Sequence, residues 1–493
     1  MQGKSLVRAA LVAIGWAIVV PTAGAAPGDS APRAGKYNVL LILSDDLTST
    51  ALSCYGSRFC STPHIDALAQ QSVRFTRAYC QGTYCGPSRA SFLSGYYPHA
   101  LGILNYVSPR PVLEDRATWP QHFRLAGYTT ARVSKVFHMG VPGGIEEGDD
   151  GADDPLSWDM RFNSQGPEWK APGKGETLEG NPDGRYPGPV GGNTFVVVEA
   201  DEAAENHADG KTTRKACALI DELQDSRFFL AVGFVRPHVP FVAPKQYFTP
   251  FPWRSMELPP KIPGDWDDIP PTGINYKTTL NMQMNLDQQR KAKAAYCAAV
   301  AFVDAQVGRI LAALDDAGLS DETIVIFTSD HGYHLGEHDF WAKVSLHEES
   351  AAVPLLIRVP GQSPAVSDSL VELLDLFPTT ASLCGLPVPE RLQGKDITAI
   401  LDVPTAQVRD AAFCVNGKGF LLRTERFAFM QYGEDGRGGW ELYDMLSDPF
   451  QFHNLARLPE FEPVVAQFKQ KLQQKLASIR SNDLRQQRER SIP

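Results

Sequence analysis

Cysteine is scarce in this chain, and its distribution excludes several classes of protein. Eight cysteines are scattered over 493 residues, which is not the disulfide framework of a small secreted scaffold. No pair of them has the spacing of a zinc ribbon. If one of them, Cys85, is committed to other chemistry, seven remain, so at least one stays unpaired within the chain.

Positive charge is also in short supply. The chain has 47 Lys and Arg residues against 57 Asp and Glu residues, for a formal net charge of −10, and the basic residues form no concentrated run. Because binding to a phosphate backbone requires a basic face, we expect no nucleic acid partner. Any anionic substrate must be captured by a local group of cations.

The N-terminal segment lacks an apolar run long enough to span a bilayer. Lys4 and Arg8 precede an apolar run from Ala9 to Val20, which is shorter than the roughly 20 residues that a membrane span needs. Ala23-Gly24-Ala25 then has the pattern of a cleavage site. We predict a signal peptide over residues 1–25, with a membrane anchor as the alternative, and no membrane association after its removal.

N-glycosylation sequons of the form Asn-x-Ser/Thr are absent from the sequence. Their absence is easier to reconcile with a bacterial protein than with a glycosylated lysosomal one. We therefore expect export to the bacterial periplasm or secretion.

Buried strands that end in polar residues recur along the chain. They are "YNVLLILSDD" at 37–46, "GYTTARVSKVFHMG" at 127–140, "RFFLAVGFVRPHVPF" at 227–241 and "DETIVIFTSDHGYHLGEH" at 321–338. Helical patterns such as 64–75 and 295–318 lie between them. This alternation predicts an α/β fold with a large, mostly parallel sheet and helices on both faces. Ligands bind beyond the carboxyl ends of the strands in such sheets.

The length of the chain predicts more than one domain. We assign a catalytic domain to residues 36–400 and a smaller C-terminal α+β domain with an antiparallel sheet to residues 411–493. Residues 140–195 and 243–275 are rich in loop-forming residues, so we expect both segments to be long excursions over the active edge.

The stretch "YCGPSRASFLSG", which begins at Tyr84, predicts a helix with Pro87 at its first position and Cys85 or Gly86 at its cap. The start of a helix offers free backbone N–H groups to an anion. Arg89, one turn further on, adds a planar cationic fork suited to sulfate or phosphate. Taken alone, this pattern is equally that of an ordinary capped helix.

Acidic groups follow two of the predicted strands, as Asp45-Asp46 and as Asp330 beside His331. Adjacent carboxylates at the end of a buried strand are costly unless a cation neutralises them. Two such groups at one sheet edge indicate a metal, and their oxygen-rich chemistry favours Ca²⁺, with Mg²⁺ possible, over zinc.

These residues carry a resemblance to the type I, formylglycine-dependent sulfatases of the alkaline-phosphatase-like superfamily. "CGPSRASFLSG" resembles the sulfatase signature C-x-P-S-R. Further segments in the same order resemble the iduronate-2-sulfatase branch: the strand ending in Asp-Asp, "GYTTARVSKVFHMG", "RPHVPF", "SDHGYHLGEHDFWAK" and "ELYDMLSDPFQFHNL". The matches run from about Asn38 to Leu455.

The resemblance implies that Cys85 is converted to 3-oxoalanine (formylglycine) by a formylglycine-generating or an anaerobic sulfatase-maturating enzyme. The implied metal ligands are Asp45, Asp46, Cys85, Asp330 and His331. The implied catalytic residues are Cys85, Arg89, Lys135, His138, His238 and Lys343. Asn105 and Tyr333 are the implied substrate contacts, Tyr333 standing where better-known iduronate enzymes have a tryptophan.

The implied reaction is hydrolysis of a sulfate ester on a carbohydrate, with the aldehyde hydrate as nucleophile. The substrate we favour is a 2-O-sulfated uronic acid at the end of a glycosaminoglycan-type oligosaccharide, and a sulfated algal polysaccharide is the alternative. Three other readings compete: a phosphate or phosphonate ester hydrolase, a cysteine phosphatase and a carbohydrate-binding pseudoenzyme. A cysteine phosphatase spaces Cys and Arg six apart, whereas Cys85 and Arg89 are four apart.

Overall fold

A computed structural model describes Met1 and residues 36–179 and 194–484 of the chain. Apart from Met1, the predicted signal peptide lies outside the described residues. The first nine strands are β1 (Asn38–Asp45), β2 (Val73–Tyr79), β3 (Thr129–Ser134), β4 (Met160–Phe162), β5 (Gly173–Thr177), β6 (Val196–Ala200), β7 (Phe228–Pro237), β8 (Phe241–Pro244) and β9 (Thr323–Ser329). The others are β10 (His334–Leu335), β11 (Trp341–Ala342), β12 (Ala352–Arg358), β13 (Ala365–Ser367), β14 (Val371–Glu372), β15 (Ala411–Val415), β16 (Gly419–Thr424), β17 (Phe427–Tyr432) and β18 (Trp440–Asp444).

Short and long α-helices connect these strands. They are α1 (Pro63–Ala69), α2 (Cys85–Ser94), α3 (Pro98–Leu101), α4 (Arg110–Leu113), α5 (Trp119–Leu125), α6 (Gly143–Glu147), α7 (Ala208–Glu222), α8 (Leu286–Asp316), α9 (Glu348–Ala351), α10 (Leu376–Leu383), α11 (Thr398–Asp402) and α12 (Glu462–Arg480).

A nine-stranded sheet forms the centre of the fold. Its strand order is β13-β2-β12-β9-β1-β7-β3-β4, and β14 also pairs with β2. The neighbours β9, β1, β7, β3 and β4 are all parallel, while β12 is antiparallel to both of its neighbours. The predicted mostly parallel sheet is therefore confirmed, and its parallel strands present their carboxyl ends at one edge.

Apolar burial on both faces explains why the central strands read as continuous hydrophobic runs. All eight residues of β1 and all ten of β7 are buried, as expected for parallel strands covered on both sides. Each fully buried Leu, Ile or Val side chain contributes about 1.5–3 kcal/mol relative to an exposed one.

One predicted helix extends too far. The pattern at 64–75 predicts a single helix, but α1 ends at Ala69 and Val73 already belongs to β2. Val73 and Phe75 pair with β12, and both are fully buried there. Pairing with a neighbouring strand thus overrode the local helical pattern.

The long helix α8 packs against the sheet and against α7. A disulfide joins Cys297 on this helix to Cys60. Among the described residues, α8 alone is long and apolar enough to cross a membrane, but 61% of its apolar window is buried inside the protein. Such burial is typical of a core helix.

The predicted antiparallel C-terminal sheet is confirmed. Strands β15, β16, β17 and β18 pair in sequence order, each antiparallel to the next. The apolar face of α12 contributes buried residues, including Phe468 and Leu472, to a hydrophobic cluster with strand residues such as Phe429. The exact boundaries of the two domains stay a prediction. Residues 140–179, expected to be an excursion, also supply β4 as an edge strand of the central sheet.

Candidate active site at the strand ends

The carboxyl ends of β1 and β9 bring three acids together. Asp45 ends β1, and Asp46 follows in the left-handed region with φ 63°, a conformation that Asp tolerates better than most residues. The backbone N–H of Asp46 donates to Asp330 Oδ1 at 3.3 Å. All three carboxylates are buried. The sheet topology therefore concentrates negative charge at one place.

The helix α2 carries Cys85 to these acids. The helix begins at Cys85 with the extended Tyr84 as its N-cap, so it starts two residues before the predicted Pro87. Cys85 Sγ lies 3.4 Å from Asp45 Oδ1, 3.4 Å from His331 Nε2 and 3.3 Å from Lys343 Nζ. The start of the helix thus faces the acids directly.

Gly86 allows a loop to approach the start of α2. A Cβ at this position would lie 2.4 Å from the Asn105 carbonyl oxygen and 2.9 Å from Tyr106 Cδ1. These distances are too short for a side chain other than hydrogen, so glycine is required for this close approach.

Three cations balance the three acids. Arg89 Nε donates to Asp330 Oδ2 at 2.8 Å, and its two terminal nitrogens donate to Asp45 Oδ1 at 3.3 Å and to the Val136 carbonyl at 2.9 Å. Lys135 Nζ contacts Asp45 Oδ2. Lys343 Nζ donates to Asp46 Oδ1 at 2.7 Å. The guanidinium of Arg89 is therefore engaged by protein acceptors, whereas Lys343 also faces the Cys85 thiol.

Histidines complete the site. His331 Nδ1 lies 2.8 Å from the Gly332 carbonyl, and because a carbonyl only accepts, Nδ1 is the protonated nitrogen. Its Nε2 lies 3.2 Å from Asp46 Oδ1. His238 Nδ1 contacts the Val239 carbonyl in the same way, and its Nε2 lies 3.7 Å from Asp46 Oδ2.

The pKa values of Asp45 and Asp46 are shifted in opposite directions. Burial raises the pKa of Asp45, but Lys135, His238 and Arg89 outweigh it and hold the pKa well below its usual value. The pKa of Asp46 is raised by burial, an effect that Lys343 opposes. Asp46 Oδ2 is also buried and accepts no hydrogen bond from residues 36–179 or 194–484. Asp46 is therefore the carboxylate that most needs a further cation.

The Cys85 thiol is in an environment that opposes its ionisation. Burial, and then the Asp45 carboxylate, raise its pKa well above the usual value despite the nearby Lys343. Reactive thiolates instead occupy electropositive, partly exposed positions. A cysteine phosphatase, which attacks through a thiolate, is disfavoured by this geometry.

The donor set fits a divalent cation. One group of ligand atoms comes from Asp45, Cys85, Asp330 and His331, and a second from Asp45, Asp46, Cys85 and His238, with the atoms of each group within 4.8 Å of one another. Each group offers two carboxylate oxygens, the ligands that hard cations such as Ca²⁺ and Mg²⁺ prefer, beside one thiol and one imidazole. The unsatisfied Asp46 Oδ2 is consistent with such an ion.

Comparison with known proteins identifies the family. The model of the family described as Sulfatase matches residues 37–386, most of the chain. The chain belongs to the sulfatase family. A second model, described as N-sulphoglucosamine sulphohydrolase, C-terminal, matches residues 336–478 of this sulfatase.

Individual relatives agree with this membership. Iduronate 2-sulfatase of Mus musculus is 36% identical over 411 residues, which cover 74% of this sulfatase and 72% of the mouse protein. A solved structure described as a 2-O GAG sulfatase superposes with a TM-score of 0.67 at 24% identity, covering 90% and 93% of the two chains. The phosphonate monoester hydrolase of Agrobacterium radiobacter gives a TM-score of 0.72 at 23% identity, covering 90% and 96%. The alkaline-phosphatase-like fold and sulfuric ester hydrolase activity that we predicted are confirmed.

The structure separates the two predicted substrate contacts of this sulfatase. Asn105 is exposed on the loop above Gly86. Tyr333 is fully buried, and its ring stacks on Tyr296 with centroids 5.4 Å apart. Both roles stay predictions, and the burial of Tyr333 means that a sugar could reach it only after rearrangement.

Two aromatic residues beside the site were missed by the sequence analysis. Tyr106 is 48% exposed, and its ring lies 4.3 Å from that of His138 between centroids. Tyr276 is 38% exposed, in a segment that the Asn275 side chain ties to the Trp341 carbonyl at 2.9 Å. The sequence did hold a signal for Tyr106, because this aromatic residue directly follows Asn105, a predicted substrate contact.

Proposed function

We propose that the chain is an exported, formylglycine-dependent carbohydrate sulfatase. The observation that carries this proposal is the position of Cys85 Sγ, 3.4 Å from Asp45 Oδ1 and 3.3 Å from Lys343 Nζ. In the converted enzyme, a hydroxyl of the aldehyde hydrate would stand where Sγ stands. Unlike the thiol, whose ionisation this environment opposes, such a hydroxyl becomes a nucleophile next to a cation.

Asp45, Asp46, Asp330 and His331 would hold Ca²⁺ or Mg²⁺. When bound, this ion would lower the pKa of a neighbouring hydroxyl and offset negative charge on the sulfate. Contacts within the chain already fix the positions of two of these carboxylates. Arg89 fixes Asp45 and Asp330 from one side, and the N–H of Asp46 fixes Asp330 from another. Both carboxylates are therefore preorganised before any substrate arrives.

The remaining cations and histidines divide the proton transfers. Burial lowers the pKa of Lys343, but Asp46 and Cys85 more than reverse this, so its pKa is raised well above the usual value. Lys343 is therefore a charged partner for the sulfate oxygens. Lys343 would protonate the departing sugar oxygen. His238, beside Asp46, is the alternative acid, but burial and then Lys343 lower its pKa well below the usual value, so it is neutral at ordinary pH and less suited to donate a proton.

His138 would act as the base. Burial, and then Lys135, lower its pKa to about 2, so the imidazole is neutral at ordinary pH. The negative charge of a bound sulfate would raise this pKa towards the range that a general base needs. His138 Nδ1 is buried without a hydrogen bond in the described residues. His138 would take the proton from the hydrate hydroxyl when the aldehyde is restored.

The substrate that we favour is an oligosaccharide ending in a 2-O-sulfated uronic acid, and we expect exo action. The mouse relative is an iduronate 2-sulfatase at 36% identity, which supports this choice over a sulfated algal polysaccharide. The reaction centre is fully buried, and we expect a buried centre to be reached more readily by a chain end than by the interior of a polymer.

Mass spectrometry tests the nucleophile. The protein is produced with and without a formylglycine-generating enzyme, and the peptide spanning Tyr84 to Arg89 is analysed. The aldehyde should appear only with that enzyme, and sulfatase activity should rise with the converted fraction. The peptide containing Cys217, a half-buried thiol, should remain unchanged. Full activity of unconverted protein would refute the proposal.

A panel of disaccharides tests the substrate. Disaccharides sulfated at the uronic acid 2-O position, at other positions and on algal sugars are compared by release of sulfate, together with a phosphonate monoester. We expect the 2-O-sulfated uronic acid to have the highest kcat/KM. The Cys85→Ala variant should fold and release no sulfate. Preference for the phosphonate would favour the second candidate, the hydrolase activity of the structural neighbour.

A further inference from the structure

Half-exposed aromatic rings lie beside the reaction centre, although the centre itself is polar. Tyr106 and Tyr276 are 48% and 38% exposed, while the Cys85, Lys343 and Asp46 side chains are almost completely buried. A buried ionic centre with half-exposed aromatic rings beside it is typical of a site in which an anionic group is held inside and the remainder of the ligand outside.

The ring of Tyr106 is held in place from below. One contact is with His138, at 4.3 Å between centroids and an interplanar angle of 30°. Another is an edge contact with Tyr84 at 6.0 Å, and the Tyr84 hydroxyl donates to the Leu104 carbonyl at 3.0 Å on the same loop. A ring fixed on one face and exposed on the other is a preorganised platform, which loses little entropy on binding.

The neighbours of Tyr106 extend this platform. Leu104 and Val107 are 39% and 46% exposed, so the loop presents a small apolar surface beside Tyr106. Apolar surface next to a cleft often marks a ligand-binding site. Among ligands that carry a sulfate ester, a pyranose ring offers a matching apolar face of C–H groups.

Tyr276 lies on a segment that is hydrogen-bonded to the chain next to Lys343. Its backbone N–H donates to the Asn275 side-chain oxygen at 2.8 Å, and the next carbonyl, that of Lys277, accepts from the Trp341 N–H at 3.0 Å. These bonds tie the segment to the chain that leads into Lys343. Burial raises the pKa of the Tyr276 phenol, and Asp46 and Tyr106 add to the increase, consistent with its closeness to both.

We propose that Tyr106, together with Tyr276, forms a platform that stacks on the pyranose ring carrying the sulfate and so selects sugar sulfates. The proposal rests on the proposed carbohydrate sulfatase function and names the residues that recognise the sugar. Tyr106 is a specificity-determining residue in this scheme, while the buried cations recognise the sulfate group.

Three variants of the converted enzyme separate stacking from structural support. Tyr106→Phe keeps the ring, Tyr106→Leu fills the space against His138 without an aromatic face, and Tyr276→Leu tests the second ring. Phe450→Ala is the matched control, because Phe450 is also exposed, at 53%, and stacks on another ring, that of Phe452. Kinetics are measured with the sulfated disaccharide that the panel identifies as the best substrate, and inorganic sulfate is used as a competing product.

Loss of an aromatic contact should raise KM for the disaccharide by about 3- to 10-fold. We expect this increase in Tyr106→Leu and Tyr276→Leu, with kcat and the inhibition constant of inorganic sulfate changed by less than about twofold. Tyr106→Phe and Phe450→Ala should match the wild type.

An unchanged KM in Tyr106→Leu would overturn the proposal, as would a fall in kcat alone, since that would assign Tyr106 to the support of His138. A parallel change in the sulfate inhibition constant would also overturn it. Failure of the proposed function is distinct: the wild type would then release no sulfate from any sugar in the panel.

Discussion

Replacing Arg89 with methionine should destabilise the protein far more than replacing a surface arginine. Arg89 is fully buried, as are its partners Asp45 and Asp330. Methionine has a similar length but no charge, so two carboxylates would lose their shared cation. Removing one partner of a buried ion pair costs about 3–5 kcal/mol. The Val136 carbonyl would also lose its donor, which adds about 1 kcal/mol.

Urea denaturation in the presence of a chelator measures this loss without a contribution from bound metal. Arg124→Met is the control, because Arg124 and its partner Asp159 are 40% and 35% exposed despite a contact of 2.6 Å. A screened surface pair of this kind is worth under about 1 kcal/mol. If Arg89→Met lost no more stability than Arg124→Met, the claim that Arg89 neutralises the buried acids would be refuted.

Four further predictions concern other parts of the molecule. Gly86→Ala should displace the loop of Asn105, whose backbone carbonyl oxygen would lie 2.4 Å from the new Cβ. We expect KM to rise and the thermal midpoint to fall, and an unchanged KM would contradict this. Lys343→Met should lower kcat by about 10²- to 10⁴-fold, measured as sulfate release, with folding checked by circular dichroism. Replacing Cys60 and Cys297 by alanine removes a disulfide between residues 237 positions apart. The free energy of unfolding should then fall by up to about 5 kcal/mol. A double variant as stable as the wild type would argue that the disulfide is not formed. Burial, and then Arg236, lower the pKa of His207 to about 4, so between pH 6.5 and pH 4 the unfolded chain binds a proton that the folded protein does not. The free energy of unfolding should therefore fall as the pH falls through this window. The His207→Gln variant should lose less stability over the same window.

The location of the site could be predicted from the sequence because the carboxyl ends of parallel strands lie at the same edge of the sheet. Asp45, Lys135, His238 and Asp330 each follow a different strand, and in a parallel sheet these positions meet at one edge whatever the intervening loops do. Periodicity and a polar residue after the apolar run were sufficient signals. The same reasoning could not foresee the partners of Arg89: its guanidinium is engaged by Asp45, Asp330 and two backbone carbonyls, and its contact with the sulfate stays a prediction.

What sequence reasoning could not supply depends on contacts between distant segments. The segment at 64–75 has a helical pattern, yet Val73 and Phe75 pair with β12, a strand nearly 300 positions away that no local window contains. The closeness of Tyr106 to His138 depends on a loop that approaches Gly86. Loops lack periodicity, so their path is not encoded in a pattern that can be read residue by residue.

Charge balance bears on the choice between sulfate and phosphate esters. The reaction centre sets Arg89, Lys135 and Lys343 against Asp45, Asp46 and Asp330, all buried, so the protein groups alone sum to about zero if the histidines are neutral. A divalent cation would make the centre positive by two, and a sulfate monoester carries one negative charge whereas a phosphate monoester carries up to two at neutral pH. Charge alone therefore admits both, and we expect geometry at the sulfur or phosphorus to decide. Lys343 contacts Cys85 Sγ, the position from which either ester would be attacked. We therefore expect Lys343→Met to reduce kcat/KM for a sulfate ester and for a phosphonate monoester by a similar factor, as a general anion site would. A much larger loss with the sulfate ester would instead assign Lys343 a part in selecting sulfate.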